Sequence, residues 1–221
     1  MTAGDVPANM LYYICNYKRS IFGQVVVIMC GRYQFTAEQC EEIRRIAQEI
    51  QRRHGDGAWT PGEIRPTAAA PVLLADQGGV HPELLSWGYR LPKSLVINAR
   101  AESAAEKPLF RDSVKARRCV VPSTGFYEWD AEKRKYFFTL PGEDALYMAG
   151  LYDVREGRSC YCILTTEANR SMETVHPRMP LILRREQLRN WLENPEKAEE
   201  LLHSVPPDLE KRPMERQISL W

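Results

Sequence analysis

The chain has 221 residues, 30 basic and 29 acidic side chains, and a formal net charge of +1. This length allows one sizeable core, so we expect one main domain. The near-neutral charge excludes a generally basic protein, so any nucleic-acid binding must come from a local patch. No run approaches the roughly 20 apolar residues that a membrane span needs, and we expect no membrane partner.

The six cysteines are spaced without C-x-x-C pairs, which is typical of reduced intracellular thiols rather than a disulfide framework. Cys160 and Cys162 lie two apart in a strand-like run, so they share a face and packing is their expected role. The sequence has no zinc-ligand spacing, Walker loop or G-x-G-x-x-G motif. We therefore expect no metal, no cofactor and a cytoplasmic protein.

Residues 1–28 contain a positive flank at Lys18–Arg19 and a brief apolar run from Ile21 to Ile28. This pattern imitates a short signal peptide, but no small-residue cleavage site follows it. We interpret residues 1–28 as a leader that is either misassigned as coding sequence or removed by processing. The alternative is a genuine strand-like extension. The predicted domain runs from 29 to 221.

Thr36 and Gln39 have the spacing of a capping box, and isoleucines recur on one helical face before Gly55, which predicts a first helix. Short β-like runs follow at 72–75, 80–85, 95–100, 119–121, 125–130, 136–140, 146–151, 160–165 and 181–183. Further helices are predicted within 102–113, after Thr166, and at 186–192 and 196–203. This order predicts a single α+β domain around a mostly antiparallel, barrel-like β-sheet with flanking helices.

The stretch Met29-Cys30-Gly31-Arg32-Tyr33 follows the predicted leader directly. If translation starts at Met29 and that residue is removed, Cys30 carries a free α-amine beside its thiol. The amine titrates near ~7.7–8 and can attack an aldehyde, and the thiol, with a pKa of ~8.5, can add to the Schiff base. Together they close a thiazolidine ring, which predicts an aldehyde-trapping residue. The alternative is a small buried cysteine.

Four other polar residues are candidates for chemistry. Glu128 lies among aromatic residues, whose burial would raise a carboxyl pKa and suit it to proton transfer; alternatively, it points to solvent. His176 precedes a proline in a rigid loop, where it is either a general acid or base or a structural residue. Asn98 and Arg100 end a strand on one face, and they can orient a substrate and hold a phosphate.

Basic residues outnumber acidic ones between Arg90 and Arg118, and they are interleaved with Trp87, Tyr89 and Phe110. This pattern predicts a phosphate-tracking groove with aromatic stacking platforms for unpaired bases. The alternative is a solvated loop rich in charge.

The ordered motifs M-C-G-R, S-W-G, I-N-A-R-A-E, R-C-V-V-P-S-x-G-F-Y-E-W and H-P-R-M-P resemble the SRAP family, the SOS response-associated peptidase or abasic-site-processing proteins. The resemblance runs from Met29 to about Leu183. It implies a monomeric, nucleoid-associated protein of the DNA damage (SOS) response that binds single-stranded DNA containing abasic sites. It further implies covalent capture of the ring-opened sugar as a thiazolidine, with lyase and self-cleaving thiol peptidase activities.

The resemblance also implies a role for individual residues. Cys30 resembles the family's nucleophile, and Asn98 the residue that positions it or the opened sugar. Glu128 and His176 resemble the proton-transfer pair. The DNA-contacting set comprises three phosphate ligands, an aromatic of the DNA-facing surface and a residue lining the site: Arg32, Arg100, Arg178, Trp87 and Thr165.

Two rival interpretations stay open. In the first, the chain is an autoproteolytic cysteine peptidase or N-terminal-nucleophile hydrolase, in which self-cleavage uncovers Cys30 and the thiol then attacks acyl groups. Such an enzyme would turn over a peptide or amide without DNA. In the second, the chain is a non-catalytic single-strand-binding module, which would keep salt-dependent DNA affinity without Cys30.

Overall fold

The computed structural model describes residues 31–38 and 40–214, and the backbone of 18–19 and 25–26. Its strands are β1 (Lys18–Arg19), β2 (Val25–Val26), β3 (Arg32–Phe35), β4 (Gly62–Ile64), β5 (Ala69–Asp76), β6 (Gly79–Trp87), β7 (Tyr89–Leu91), β8 (Ser94–Val96), β9 (Asn98–Arg100), β10 (Arg118–Ser123), β11 (Gly125–Trp129), β12 (Lys135–Thr139), β13 (Leu146–Arg155), β14 (Arg158–Glu167), β15 (Arg178–Pro180), β16 (Ile182–Leu183) and β17 (Glu210–Pro213). Its helices are α1 (Glu41–His54), α2 (Ala101–Ala104), α3 (Arg111–Ala116), α4 (Leu188–Glu193) and α5 (Pro195–Leu202), with a 3-10 turn at Arg185–Gln187.

A closed β-barrel forms the centre of the molecule. Its strands follow the order β14-β6-β5-β10-β13, and β13 pairs again with β14 to complete the ring. The pairings are antiparallel except those of β14 with β6 and with β9. Closure leaves these five strands without free edges. The predicted α+β fold around a mostly antiparallel, barrel-like sheet with flanking helices is therefore confirmed.

A second sheet, in the order β17-β12-β11-β3-β4, is joined to the barrel by three fully buried aromatic residues. The hydroxyl groups of Tyr33 and Tyr161 are hydrogen-bonded at 2.6 Å. The Trp87 ring lies 5.3 Å from that of Tyr33 and stacks on that of Tyr161 at 6.3 Å. These contacts hold β3 of the second sheet against β14 and β6 of the barrel.

Helix α1 buries Ile43, Ile46 and Ile50 on one face, as the periodicity predicts. The predicted start is wrong, because the helix begins at Glu41 and the Thr36 hydroxyl instead accepts a hydrogen bond from Gln34. Gln39 lies outside the described residues. Two acidic residues in the first turn favour the observed start by interacting with the helix dipole. Within the described ranges, no helix is long and apolar enough to cross a membrane.

The segment after Thr166 differs from the prediction. Strand β14 continues to Glu167, and turns follow where a short helix was expected. The Asn169 side chain accepts a hydrogen bond from the backbone N–H of Ser171 at 3.1 Å, a local bond that favours a turn over a helix. Cys160 and Cys162 are both buried in β14, which confirms their packing role.

Arg118 shows that the basic run contains structural residues. Its side chain is buried, and its guanidinium donates to the backbone carbonyl groups of Val114, Lys115, Trp191 and Leu192. These bonds tie the end of α3 to the end of α4. Arg118 is therefore not available to a phosphate.

We expect Arg118→Leu to lower the free energy of unfolding by at least ~3 kcal/mol, because buried carbonyl groups lose their donor. Denaturant unfolding monitored by circular dichroism measures this loss. Arg117→Leu is the matched control: Arg117 is half-buried and pairs with Asp153 at 3.3 Å, so the expected loss is at most ~1 kcal/mol. Equal losses in the two variants would contradict a structural role for Arg118.

Candidate functional site

Asn98 and Thr165 lie on the face of the barrel that meets the second sheet. Strand β9 runs parallel to β14, with Asn98 opposite Ile163 and Arg100 opposite Thr165. Tyr161, Ile163 and Thr165 alternate along β14 and so share one face, the face that Tyr161 presents to Tyr33. Asn98 and Thr165 therefore project towards the space between the two sheets.

Glu128 projects towards the same space from the other side. Along β11, Phe126 and Glu128 share a face, and Phe126 lies opposite Tyr33 of β3. Glu128 is 4% exposed, which excludes the alternative of a side chain pointing to solvent. Its Oε1 accepts a hydrogen bond from the backbone N–H of Trp129 at 3.2 Å.

Cys30 lies outside the described residues, which resume at Gly31. Strand β3 then pairs with β11, with Arg32 opposite Tyr127. Gly125 begins β11, and a Cβ atom there would lie 2.7 Å from the carbonyl oxygen of Phe138. This position therefore requires glycine, and the approach sets β11 close to β12 just before Glu128.

His176 is buried in the turn that precedes β15, and its ring is held by local backbone contacts. Nδ1 accepts a hydrogen bond from the backbone N–H of Arg178 at 3.0 Å. Burial lowers the pKa of His176, which favours the neutral ring. Nδ1 also lies 3.2 Å from the Arg178 carbonyl oxygen, so the tautomer depends on which of the two backbone groups it bonds. Nε2 is buried without a hydrogen-bond partner among the described residues. Because the neutral ring is favoured, His176 is suited to accept a proton.

Arg178 forms a bidentate ion pair with Glu102. Its Nη1 and Nη2 atoms donate to the two carboxylate oxygens at 2.6 and 2.9 Å, and Nη2 also donates to the Thr165 carbonyl oxygen at 2.6 Å. Burial alone would raise the pKa of Glu102, but the hydrogen bonds from Arg178 hold it below its ordinary value. Glu102 therefore stays ionised. It pairs with the guanidinium of Arg178, which was predicted to bind a phosphate.

Arg100 has a different environment from Arg178. It is exposed and makes no ion pair within the described part of the chain. It lines an open groove of ≈ 530 Å³ together with Arg178 and four other residues: Glu167, Ala168, Glu173 and Pro177. Of the two arginines in this groove, Arg100 is the one whose charge is available to an anion.

Arg32, the third predicted phosphate ligand, lies on the outward face of the second sheet. Its Nη1 is 3.2 Å from Oε1 of Glu63, and its guanidinium lies 5.3 Å from the centre of the Trp129 ring. Its side chain is 26% exposed. Arg32 therefore lies at the same end of β11 as Glu128, but it is directed away from the space that Glu128 faces.

The predicted aromatic stacking surface is wrong. Trp87 is 0% exposed, and its indole N–H donates to the Ile97 carbonyl at 3.0 Å, so it is a core residue rather than part of a DNA-facing surface. Tyr89 and Phe110 are also buried, with ring centres 6.1 Å apart. These aromatic residues fill the core, so the charged residues between them lie beside a packed interior rather than beside exposed rings.

Glu102 was not assigned a role from the sequence, although it ends the I-N-A-R-A-E motif. Its position two residues after Arg100 was a usable signal, because a carboxylate beside predicted phosphate ligands must pair with one of them or repel the ligand. Among the described residues, no group of three or more His, Cys, Asp or Glu side chains is arranged to hold a metal ion.

Comparisons with known proteins identify the family and the fold. Residues 29–220 match the family described as SOS response associated peptidase (SRAP). The abasic site processing protein YoqW of Bacillus subtilis is 31% identical over 188 residues, 77% of this chain and 83% of that protein. For the abasic site processing protein YedK of Escherichia coli, the identity is 27% over 179 residues, 74% and 79% of the two chains. A solved structure from Bacteroides thetaiotaomicron has a TM-score of 0.69 at 24% identity, covers 85% of this chain and 93% of its own, and supports the fold alone.

We expect the stability of the protein to fall as the pH drops below ~6.5, the ordinary histidine pKa. The pKa of His176 is lower in the folded state, so between the two values the unfolded chain binds more protons and acid favours unfolding. His176→Gln should flatten this slope in denaturant unfolding between pH 7.5 and pH 5.5. His203→Gln, at an exposed site, is the control. An unchanged slope in His176→Gln would contradict a lowered pKa of His176 in the folded protein.

Proposed function

Because this chain belongs to the SRAP family, we propose that it processes abasic sites in single-stranded DNA by covalent capture through Cys30. The observation that carries the proposal is the burial of Glu128 in the space between the two sheets, towards which Asn98 also projects. Ionisable groups buried in this way are candidates for proton transfer. The names of the curated relatives as abasic site processing proteins support the same substrate.

The register of β3 with β11 supports a role for Glu128 in chemistry at the start of the domain. Arg32 lies opposite Tyr127, the last pair of this register, so the chain enters β3 at the end of β11 that carries Glu128. Cys30 is bonded to Gly31, and the Cα atoms of bonded residues are about 3.8 Å apart. The carboxyl of Glu128 is therefore a suitable proton donor and acceptor for chemistry at Cys30.

The proposed reaction joins one aldehyde to the two nucleophiles of Cys30. The α-amine adds to the C1′ carbonyl of the ring-opened sugar and gives a carbinolamine, which loses water to give a Schiff base. The Cys30 thiol then adds to the same carbon and closes the thiazolidine, so the net products are the cross-link and one water molecule. Glu128 and His176 serve the proton transfers, with the neutral His176 ring as a proton acceptor, and Asn98 orients the opened sugar.

This chemistry requires a free α-amine on Cys30. The proposal therefore takes the predicted domain, residues 29–221, as the translated unit, and the active form lacks residues 1–28 and has lost Met29. A cytoplasmic, nucleoid-associated protein of the DNA damage response fits such a substrate. The rival N-terminal-nucleophile peptidase would use the same free Cys30, so the two functions differ in whether DNA is needed.

We expect protein started at Met29 to form a denaturant-stable adduct with single-stranded DNA that carries one abasic site, and the full 221-residue chain with its leader retained to form none. A denaturing gel measures the adduct. Cys30→Ala should abolish it, whereas Glu128→Gln should slow its formation by about 10²-fold or more with little change in DNA affinity. Adduct formation by Cys30→Ala would overturn the proposal. Turnover of a peptide without DNA, in the absence of any adduct, would favour the peptidase.

We also expect Arg100→Gln to weaken binding of lesion-free single-stranded DNA more than Arg178→Gln, because Glu102 already neutralises Arg178. Glu102→Gln should tighten binding and steepen the dependence of log K on log salt by about 0.7, the effect of one more phosphate contact. Fluorescence anisotropy at several salt concentrations measures both quantities. Weaker binding by Glu102→Gln would instead mean that Glu102 positions Arg178 for the phosphate.

A further inference from the structure

The turn that carries His176 is closed on itself by backbone hydrogen bonds. At its base, the N–H of Ala168 donates to the Pro177 carbonyl at 3.0 Å. Along the turn, the Met172 N–H donates to the Asn169 carbonyl at 3.0 Å, and the His176 N–H donates to the Met172 carbonyl at 3.1 Å. The backbone position of His176 therefore follows that of Asn169 through one intermediate residue.

A segment near the C-terminus, residues 204–213, connects this turn to the second sheet, and we call it the C-terminal strap. Its last residues form β17, which pairs with β12, and β12 pairs with β11, the strand of Glu128. Before β17, the strap has no regular secondary structure and runs past the His176 turn. The strap therefore contacts the supports of both residues assigned to proton transfer.

The Asn169 side chain makes the central connection between the turn and the strap. Its Nδ2 donates to the carbonyl oxygens of Pro206 and Pro207 at 3.0 and 3.1 Å. Its Oδ1 accepts from the N–H and the hydroxyl of Ser171 at 3.1 and 2.5 Å. These partners fix the orientation of the amide, because a carbonyl oxygen only accepts and a backbone N–H only donates. A second bond joins the same elements, since the Leu209 N–H donates to the Ser171 hydroxyl at 3.0 Å.

We propose that Asn169 is a positioning residue for His176, an inference that rests on the proposed function. By tying the turn to the C-terminal strap, its side chain holds the His176 ring at a fixed place relative to the sheet of Glu128. Pro206 is buried, so its carbonyl group needs a donor from the protein. Asparagine fits both sides of the connection, because its short side chain carries an N–H donor and a carbonyl acceptor.

The Asn169→Asp change separates the two sides of this connection. It keeps the shape of the side chain and an acceptor for Ser171, so the turn itself is preserved. It removes the N–H donor and places a carboxylate against the carbonyl oxygens of Pro206 and Pro207, where the polar groups are left unpaired. The change therefore releases the turn from the strap.

The first test measures the rate of adduct formation by protein started at Met29 as the concentration of an abasic strand is raised. Asn169→Asp should lower the limiting rate about tenfold, because a small misplacement of a catalytic group has an effect of this order or larger. The strand concentration that gives half the limiting rate should stay unchanged. In a His176→Gln background, Asn169→Asp should cause no further loss, because Asn169 acts through His176. An equal loss in both backgrounds would overturn the inference.

Two controls separate positioning from a general loss of stability. Asp208→Asn breaks an exposed ion pair with Arg170 that joins the same two segments, and exposed pairs contribute little. Asn194→Ala removes the N-cap of α5, where Oδ1 accepts from the Lys197 N–H at 3.0 Å, and so destabilises the protein at the end of α5 that is far from the strap. Both variants should form the adduct at the unmodified rate. A loss in either that equals the loss in Asn169→Asp would contradict the positioning role.

Amide hydrogen exchange of the full 221-residue chain tests the tether without DNA. Asn169→Asp should accelerate exchange in residues 170–176 and in the strap, whereas Asn194→Ala should not. Ser171→Ala, which removes the acceptor of the Leu209 N–H, is a milder variant and should have the same effects to a smaller extent. Unchanged exchange in both variants of the turn would overturn the tether.

The two measurements also separate this inference from the proposed function. Adduct formation at an unchanged limiting rate in Asn169→Asp would remove the positioning role and leave covalent capture intact. Accelerated exchange in Asn169→Asp, with no adduct formed by the unmodified protein, would leave the tether intact and remove covalent capture.

Discussion

The hydrogen bond between the Tyr33 and Tyr161 hydroxyl groups is the contact on which the arrangement of the two sheets depends. Both side chains are fully buried, so each hydroxyl satisfies the polar atom of the other where water does not reach. Trp87 packs against both rings and fixes their orientation. The second sheet is thereby held at one position on the barrel, which sets the face of Glu128 towards the face of Asn98 and Thr165.

A second constraint is electrostatic and lies at the end of β14. Arg178 joins three parts of the candidate site, because its guanidinium binds Glu102 and Thr165 while its backbone N–H binds the His176 ring. One residue therefore holds Glu102, the end of β14 and the histidine ring in one arrangement. The pairing also separates the roles of the two arginines, since Arg178 is neutralised and Arg100 faces the open groove.

The local sequence pattern was sufficient to predict most helices and strands, but not the burial and bonding of individual side chains. The isoleucine stripe of α1 and the alternating runs that became β13 and β14 were predictable from periodicity alone. The start of α1 was not, because the Thr36 hydroxyl bonds to Gln34 rather than capping the helix. Trp87 was misassigned because an aromatic residue beside basic residues has the same pattern whether it stacks on a ligand or fills the core.

The sequence by itself determined the family, the strand-rich α+β class and the residues chemically able to act, with Cys30, Asn98, Glu128 and His176 set in recognisable motifs. The tertiary structure decided which charges are free and which faces are exposed. Arg178 meets Glu102 across 76 positions, and Tyr33 meets Tyr161 across 128. The physical reason is that such partners are brought together by strand register and barrel closure, which are properties of the whole chain rather than of any local segment.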